Sequence, residues 1–208
     1  MGSLLSEKIV KRLTLYHFIL REYSESGLEF ISSPRIAELL KIDNSQVRKD
    51  ISLLNSAGKC KVGYGVKSLK ADIEKVLGFR NTKSAFIVGA GNLGSALVKY
   101  DDFKDYGLDI VAMFDNDPLK VGMSINSKDV FHLSQLPEFV KRMNVEIAIL
   151  TVPREAAEGC AQFLVKSGIR YIWNFAPTVL KVPEPVKVWN ENLIGNFLQF
   201  IIKDEVKN

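Results

Sequence analysis

The stretch SAFIVGAGNLGSALVKY, residues 84–100, decides the fold of this chain. Residues 85–88 form a short apolar run, which is typical of a parallel strand buried on both faces of a sheet. Residues 89–94 fit the pattern G-x-G-x-x-G, and apolar residues then recur at helical spacing as far as Tyr100. A strand, a glycine-rich turn and a helix in this order predict the phosphate-binding turn of a Rossmann domain.

Each glycine of this turn has a predicted task. Gly89 allows the tight turn, Gly91 lets the backbone approach a pyrophosphate, and Gly94 lets the helix pack closely on the strand. The free N–H groups at the start of the helix then face the phosphates. The predicted contacts of this loop are Gly89, Ala90, Gly91, Asn92, Leu93 and Gly94.

An acidic residue ends the next predicted strand, Leu108 to Asp115. Asp115 follows Gly94 by 21 positions, close to the spacing at which a carboxylate accepts hydrogen bonds from an adenosine ribose. The same charge repels a 2′-phosphate, so the sequence favours NADH and NAD over NADPH. The alternative is a glycine-rich turn in an unrelated α/β domain, with Asp115 capping a loop.

Two further buried strands are predicted at residues 145–152 and 171–173. Ligands of open α/β sheets bind outside the carboxyl ends of the strands, so the loops that follow are expected to border the cofactor. The alternative is that they are ordinary strand-to-helix turns. The candidate residues outside the glycine loop are Asp115, Asn116, Lys120, Thr151, Val152, Pro153, Asn174, Ala176 and Pro177.

Composition places the chain in an ordinary class. A length of 208 residues with 47% hydrophobic and 25% charged content predicts a soluble globular protein of one large or two small domains. The chain has no apolar run of membrane-spanning length and no signal-peptide pattern, which favours the cytoplasm. Its two cysteines, Cys60 and Cys160, lie far apart, so neither a disulfide framework nor a metal site is expected.

The positive charge lies in the N-terminal third. Residues 1–78 carry 13 Lys and Arg against 9 Asp and Glu, whereas the remainder carries 15 of each. Two short helices joined by a tight turn are predicted here, the second spanning residues 44–55, followed by a glycine-bearing hairpin at residues 57–66. This pattern predicts a winged helix-turn-helix that binds DNA. A small helical domain for protein contacts is the alternative. The candidate DNA contacts read from the pattern are Ser45, Gln46, Arg48, Lys49 and Ser52 on the recognition helix and Lys59, Lys61 and Tyr64 in the wing.

The predicted organisation is therefore an α/β chain in three parts. A winged helix-turn-helix domain (1–78) precedes a Rossmann domain with a doubly wound parallel sheet (79–189), and a C-terminal helix (190–208) follows. The apolar residues of the last helix extend beyond a single stripe, which favours packing against a second subunit.

The chain resembles the Rex family of redox-sensing transcriptional repressors along almost its whole length. The resemblance rests on motifs in both halves: Lys11-Arg12-Leu13 with Tyr16, Ser32-Ser33, Gln46 to Asp50 with Ser52, Val62-Gly63-Tyr64, Gly89 to Gly94, Phe114 to Asp117 with Lys120 and Gly122, Leu150 to Glu155, and Asn174 to Pro177.

The resemblance implies a homodimer whose C-terminal helix is exchanged between subunits. It implies binding to an inverted-repeat operator and release when NADH binds. By position, it adds Ser32 and Ser33 to the DNA contacts and places Tyr100 near the nicotinamide. A family arginine and its aspartate partner correspond to Phe18 and Asn192, which cannot form an ion pair, so weaker coupling between NADH and DNA is expected.

The sequence is also compatible with two rival functions. An NAD-dependent dehydrogenase fits the Rossmann half, but only one helix follows the last predicted strand, so no substrate domain is left. The histidines, His17 and His132, are not placed to move a proton during hydride transfer, so the chain is predicted not to be an enzyme. The second rival is a DNA-binding protein that responds to another nucleotide or to none.

Overall fold

In a computed structural model, which describes residues 5–56, 58–59 and 62–205, the chain forms two compact units, Met1–Asn81 and Thr82–Asn208. Among the described residues, none of the helices has both the length and the apolar character of a membrane span.

The described residues of the first unit form mainly four helices. A small antiparallel pair joins β1 (Phe30–Ile31) to β2 (Tyr64–Gly65), with Ile31 opposite Tyr64. An isolated bridge joins Lys59 to Gly63, directly before β2. The elements are α1 (Glu7–Glu25), β1 (Phe30–Ile31), α2 (Ser33–Leu40), α3 (Asn44–Ile51), β2 (Tyr64–Gly65) and α4 (Val66–Leu77).

Side-chain caps explain where α2 and α3 begin. The Ser32 hydroxyl accepts a hydrogen bond from the Arg35 amide at 3.3 Å, so Ser32 is the N-cap of α2. The Asp43 carboxylate accepts one from the Ser45 amide at 2.6 Å and caps α3. The recognition helix is therefore shorter than residues 44–55, since its regular part ends at Ile51.

The core of the first unit lies between the helices. Leu13 and Leu20 of α1, Val47 and Ile51 of α3, and Leu69 of α4 are almost completely buried in one cluster. The apolar spacing that predicted these helices marks their inward faces. Between Val47 and Ile51, the side chains of Arg48 and Lys49 are exposed, whereas Asp50 is buried.

The second unit is built on a seven-stranded sheet with helices on both faces. Its elements are β3 (Lys83–Val88), α5 (Asn92–Val98), α6 (Asp102–Asp105), β4 (Leu108–Asp115), β5 (Ser124–Ile125), β6 (Lys128–His132), α7 (Leu136–Met143), β7 (Ile147–Leu150), α8 (Arg154–Lys166), β8 (Tyr171–Asn174), β9 (Lys187–Asn190) and α9 (Leu193–Glu205), with a 3-10 turn at Leu133–Gln135.

The strand order is β5-β6-β4-β3-β7-β8-β9, and all neighbours are parallel except the β5–β6 hairpin. The chain winds outward from β3 in one direction and then returns to start again at β7. The order therefore reverses between β3 and β7, which is the point where ligands bind in doubly wound sheets. This arrangement is the predicted Rossmann fold, extended by the β5–β6 hairpin and by α6.

Strand β3 lies at the centre of the sheet and is buried on both faces. Phe86 and Val88 belong to the cluster under α7 and α8, whereas Ala85 and Ile87 belong to the cluster under α5. A strand covered on both faces needs apolar residues at every position, which explains the continuous apolar run in the sequence.

The last helix, α9, keeps its apolar side chains exposed within this chain. Seven of them have exposed fractions between 39% and 67%: Leu193, Ile194, Phe197, Leu198, Phe200, Ile201 and Ile202. An apolar surface of this kind on one helix marks an interaction site.

Candidate functional site

The glycine-rich loop follows β3 at the centre of the sheet, and each glycine meets a different environment. Gly89 has φ +106°, and a Cβ there would lie 2.8 Å from the Thr151 carbonyl oxygen. A Cβ on Gly94 would collide with the Gly89 carbonyl oxygen. A Cβ on Gly91 would meet no protein atom within 4 Å, so the space beside Gly91 is open to a ligand.

Asp115 ends β4 and lies against this loop. Its Oδ2 accepts a hydrogen bond from the Ala90 amide at 2.7 Å, and its Oδ1 accepts one from the Asp117 amide at 2.9 Å. The Lys120 ammonium donates to Oδ2 at 3.2 Å. Burial opposes ionisation of the Asp115 carboxyl, but these donors outweigh it and hold its pKa below the ordinary value. The carboxylate is therefore charged at neutral pH, as ribose recognition requires.

Lys120 lies between two carboxylates at the same edge. Its Nζ is 3.2 Å from Asp115 and 3.6 Å from Asp117. The hydrogen bond to Asp115 raises the pKa of Lys120, so the ammonium stays protonated. Asp115 and Lys120 therefore place a carboxylate and an ammonium at the end of the cleft where the sequence predicts that the adenosine binds.

Thr151 joins the carboxyl ends of β3 and β7. Its hydroxyl lies 3.1 Å from the Val88 carbonyl oxygen and 2.8 Å from the Gly89 carbonyl oxygen. Its amide donates to the Val88 carbonyl at 2.8 Å. These contacts hold the two strand ends together where the strand order reverses.

A cleft of about 560 Å³ opens beside these groups. Its volume lies within the range of small-molecule and cofactor pockets. Ten of the residues predicted from the sequence line it: Gly89, Gly91, Leu93, Asp115, Asn116, Lys120, Thr151, Val152, Pro153 and Pro177.

Other predicted cofactor residues support the cleft without lining it. Ala90 contributes the amide that binds Asp115, while Asn92 begins α5 and Gly94 packs against the loop. Asn174 is fully buried, and its side-chain amide donates to the Thr178 carbonyl at 2.8 Å. Its Oδ1 accepts a hydrogen bond from the amide of Ala176, itself buried. Asn174 therefore shapes the loop after β8.

Tyr100 lies away from this cleft within the chain. It borders a separate cavity of about 210 Å³, together with Phe103 and Lys128, and 52% of it is exposed. A contact between Tyr100 and the nicotinamide therefore stays a prediction.

Sequence reasoning missed six residues that line the cleft. Val88 and Phe114 are last or next to last in their strands, so the rule of strand ends could have found them. Ala156 and Cys160 are four residues apart on α8 and form one helix face. Burial raises the pKa of the Cys160 thiol. The unpredicted lining residues are Val88, Phe114, Leu133, Ala156, Cys160 and Phe175.

In the first unit, a groove of about 590 Å³ lies between the start of α2, α3 and the predicted wing. The start of a helix offers free N–H groups and suits phosphate oxygens. The Arg48 side chain reaches Ser33 at 3.4 Å, which joins α3 to α2. Five predicted DNA contacts line this groove: Ser32, Ser33, Arg48, Lys59 and Tyr64.

The remaining predicted contacts of α3 fall into two groups. Ser45 and Lys49 are exposed on the helix, and Ser52 is exposed at its C-cap. Gln46 instead turns inward, and its amide donates to the Asp50 carboxylate at 2.9 Å. Gln46 therefore holds part of the helix in place, and base reading by it stays a prediction.

Asp50 is the centre of a buried network. Arg12 donates to its carboxylate at 2.6 and 2.8 Å, and the Tyr16 hydroxyl donates at 2.8 Å. Burial opposes ionisation of Asp50, but Arg12, Tyr16 and Gln46 together hold its pKa below the ordinary value. The network locks α3 onto α1.

The wing is defined at its base. Lys59 and Gly63 exchange backbone hydrogen bonds of 2.8 and 2.9 Å. The Lys59 ammonium lies 5.7 Å from the centre of the Phe30 ring. Lys61, another predicted contact, and Cys60 lie outside the described residues.

Both histidines have structural partners. His17 is buried between Glu74, at 3.1 Å from its Nε2, and the ring of Phe79. His132 caps the turn at residues 133–135, because its Nδ1 accepts a hydrogen bond from the Ser134 amide. Neither histidine lines the nucleotide cleft.

Comparison with known protein families supports the interpretation of both halves of the chain. A family model described as a putative DNA-binding protein N-terminus matches residues 5–52, and one described as a CoA binding domain matches residues 80–178. A redox-sensing transcriptional repressor Rex from Treponema denticola is 44% identical over 188 residues, which cover 90% of each chain. The chain belongs to the Rex family. A Rex repressor from Carboxydothermus hydrogenoformans is 42% identical and covers 94% of both chains.

Solved structures of the Rex family agree with this fold. RSP in complex with β-NAD⁺ and operator DNA matches with a TM-score of 0.88 at 32% identity, covering 99% of this chain and 95% of RSP. RSP in complex with β-NADH matches with a TM-score of 0.86 at 31% identity, covering 99% and 97%. The expected winged-helix and Rossmann architecture is confirmed. So is the prediction of a non-enzyme, because the relatives are named transcriptional repressors.

The departures from the Rex motifs also have structural contexts. Asn192 caps α9, since its Oδ1 accepts a hydrogen bond from the Gly195 amide at 2.8 Å. Phe18, on α1, is 38% exposed. Neither side chain carries a charge, so the ion pair implied for the Rex family is absent at these two positions.

Proposed function

We propose that this protein represses transcription by binding an inverted-repeat operator as a homodimer and releases the operator when NADH binds. The observation that carries the proposal is the charged Asp115 carboxylate, 2.7 Å from the Ala90 amide in the glycine loop, in a chain of the Rex family. The relative RSP is described with β-NADH and, separately, with β-NAD⁺ and operator DNA. Because the proposed ligands are DNA and NADH, we place the protein in the cytoplasm.

The ligand class follows from the charge at the adenosine end of the cleft. An ionised Asp115 accepts hydrogen bonds from both ribose hydroxyls and repels a phosphate on either of them. NADPH carries that phosphate on the 2′ position and CoA carries one on the 3′ position. NADH and NAD are therefore the proposed cofactors, even though the matching family model is described as a CoA binding domain.

The proposed homodimer explains why the apolar side chains of α9 are exposed within one chain. Leu193, Phe197 and Phe200 are each at least 60% exposed within one chain. Burying this surface against a second copy removes apolar area from water, which stabilises association. A two-fold dimer presents two recognition helices and thus matches an inverted repeat, with half-sites about one helical turn or a small multiple apart.

A ligand titration tests the cofactor assignment. Purified protein is titrated with NADH, NAD, NADPH and CoA, followed by NADH fluorescence or calorimetry. We expect NADH to bind at least about tenfold more tightly than NADPH or CoA, because a repelled phosphate loses a charge-assisted contact. Preference for CoA or NADPH would contradict the role of Asp115.

A second titration tests the DNA assignment. Operator binding is measured by fluorescence anisotropy across a salt series. Lys59→Ala should weaken binding to all DNA sequences, because a wing lysine contacts the DNA backbone. The slope of log affinity against log salt concentration should fall by roughly the contribution of one phosphate contact. Arg48→Ala should change sequence preference, because its guanidinium lies on the recognition helix. If Lys59→Ala changes preference and leaves the salt slope intact, these roles are reversed.

A further inference from the structure

A carboxylate shared by two indole rings lies directly before α9. The Trp173 Nε1 donates to Glu191 Oε2 at 3.1 Å, and the Trp189 Nε1 donates to the same oxygen at 3.2 Å. An indole N–H can only donate, and both N–H groups donate to this one carboxylate oxygen. These are the two tryptophans of the chain.

Trp173 connects this cluster to the cofactor cleft. Its ring centroid lies 4.9 Å from that of Phe175, with an interplanar angle of 45°. Phe175 lines the cleft, whereas neither tryptophan does. Because the two rings are in contact, we expect a ligand that moves the Phe175 ring to change the packing of Trp173 as well.

The other side of the cluster is the start of α9. Trp173 and Trp189 are register partners on the parallel strands β8 and β9. The Glu191 amide donates to the Asn174 carbonyl at 2.8 Å, and the next residue, Asn192, caps the helix. Glu191 is therefore the last anchored residue before a helix whose apolar face is exposed.

We propose that Glu191 is a positioning residue that links occupancy of the cofactor cleft to the placement of α9 through Trp173 and Trp189. The inference rests on the proposed function, because it assigns the NADH response of this chain to a specific contact. It also supplies a charged contact at a helix that lacks the ion pair implied for the family, since Phe18 and Asn192 are uncharged. NADH can shift α9 only if the two placements bind NADH differently, and the shared carboxylate is the contact that differs.

Fluorine NMR on the full-length protein tests the link without DNA. Labelling with 5-fluorotryptophan gives two resonances, which Trp173→Phe and Trp189→Phe assign. Saturating NADH should shift both resonances in the wild-type protein. In Glu191→Ala the Trp173 resonance should still shift, while the Trp189 resonance should no longer respond. A Trp189 resonance that ignores NADH in the wild type, or still responds in Glu191→Ala, overturns the proposal.

Operator release provides the functional test. The ratio of operator affinities without and with NADH should fall about fivefold or more in Glu191→Ala, with NADH affinity little changed. Glu191→Gln keeps an acceptor oxygen and should retain part of the ratio. Asp129→Ala is the matched control, because Asp129 is an exposed carboxylate on β6, near the opposite edge of the sheet.

The outcomes separate the two proposals. A wild-type protein that binds no NADH, or whose operator affinity ignores NADH, overturns the proposed function and this inference with it. A wild type that responds to NADH, alongside a Glu191→Ala variant that responds equally, overturns the inference alone. A ratio that falls in Glu191→Ala, remains partly in Glu191→Gln and is unchanged in Asp129→Ala supports it.

Discussion

Asp50 and Asp115 are two aspartates with similar chemistry and different tasks. Both accept several hydrogen bonds, and in both the pKa of the carboxyl lies below its ordinary value although burial opposes ionisation. Asp50 is 1% exposed, and its donors are the side chains of Arg12, Tyr16 and Gln46. Asp115 lines an open cleft, and two of its donors are backbone amides.

The two carboxylates differ in their surroundings. The donors around Asp50 come from α1 and α3 and enclose it, so removing the carboxylate leaves the Tyr16 hydroxyl buried without its acceptor. Asp115 lines an open cleft, so a ligand can approach its carboxylate. Structural and functional carboxylates are therefore distinguished by what surrounds them rather than by residue type or pKa.

The largest expected effect is at the enclosed site. Asp50→Ala should lower the free energy of unfolding of the first unit by about 3 kcal/mol, because it breaks a buried charged network. Urea unfolding measures this loss. Asp43→Ala removes only a helix cap and should cost about 1 kcal/mol. NADH affinity should stay near wild type in both variants, and a large loss of NADH affinity in Asp50→Ala would break the comparison.

The glycine loop shows the same contrast between an enclosed position, Gly94, and an open one, Gly91. Gly94→Ala brings a Cβ against the Gly89 backbone oxygen and should destabilise the second unit by about 2 kcal/mol, with loss of NADH binding. Gly91→Ala points into open space and should fold normally while binding NADH more than about tenfold more weakly. Thermal unfolding and NADH titration of both variants separate the two effects. Equal stability losses in both variants would contradict the assignment of Gly94 to packing and of Gly91 to ligand binding.

At the open carboxylate, Asp115→Ala should weaken NADH binding about tenfold, since a hydrogen bond to a charged group contributes roughly 1.5–3 kcal/mol. NADPH should lose less, because the repulsion of its 2′-phosphate is also removed, so the gap between the two cofactors narrows. Asp117→Ala is the control, as Asp117 also contacts Lys120 but does not line the cleft. An unchanged NADH to NADPH ratio in Asp115→Ala would refute this role.

The smallest effect is a pH dependence at the enclosed His17. Burial lowers its pKa, and Lys70 and Arg21 lower it further, while Glu74 opposes them. Below pH about 6.5 the unfolded chain takes up a proton that the folded chain does not, so stability falls as the pH decreases toward the lowered folded pKa. The slope should not exceed about 1.4 kcal/mol per pH unit. His17→Gln should remove this slope in urea unfolding between pH 7 and 5; a slope retained in the variant assigns it to other groups.

Much of this molecule follows from local sequence. The strand Leu108–Asp115 is observed with the bounds that were predicted, because a strand buried on both faces is apolar at nearly every position. The glycine loop and Asp115 were also predicted correctly as features of the chain, because the strand-helix-strand unit sets the spacing between a glycine turn and the acid that follows it. By contrast, β5, β6 and α6 were not predicted, because they are short and their residues alternate too weakly to show a period.

The sequence alone therefore determined the order of the main elements, the glycine turn and the acid beside it. The turn depends on residues a few positions apart, and the acid follows Gly94 at a spacing that the strand-helix-strand unit sets. Only the tertiary structure decided that Gln46 turns inward to Asp50, that Cys160 and Phe175 line the cleft, and that Trp173 and Trp189 share Glu191. These contacts join residues on different elements or set which way a side chain turns. Such choices depend on how the whole sheet and its helices pack, which no short stretch of sequence specifies.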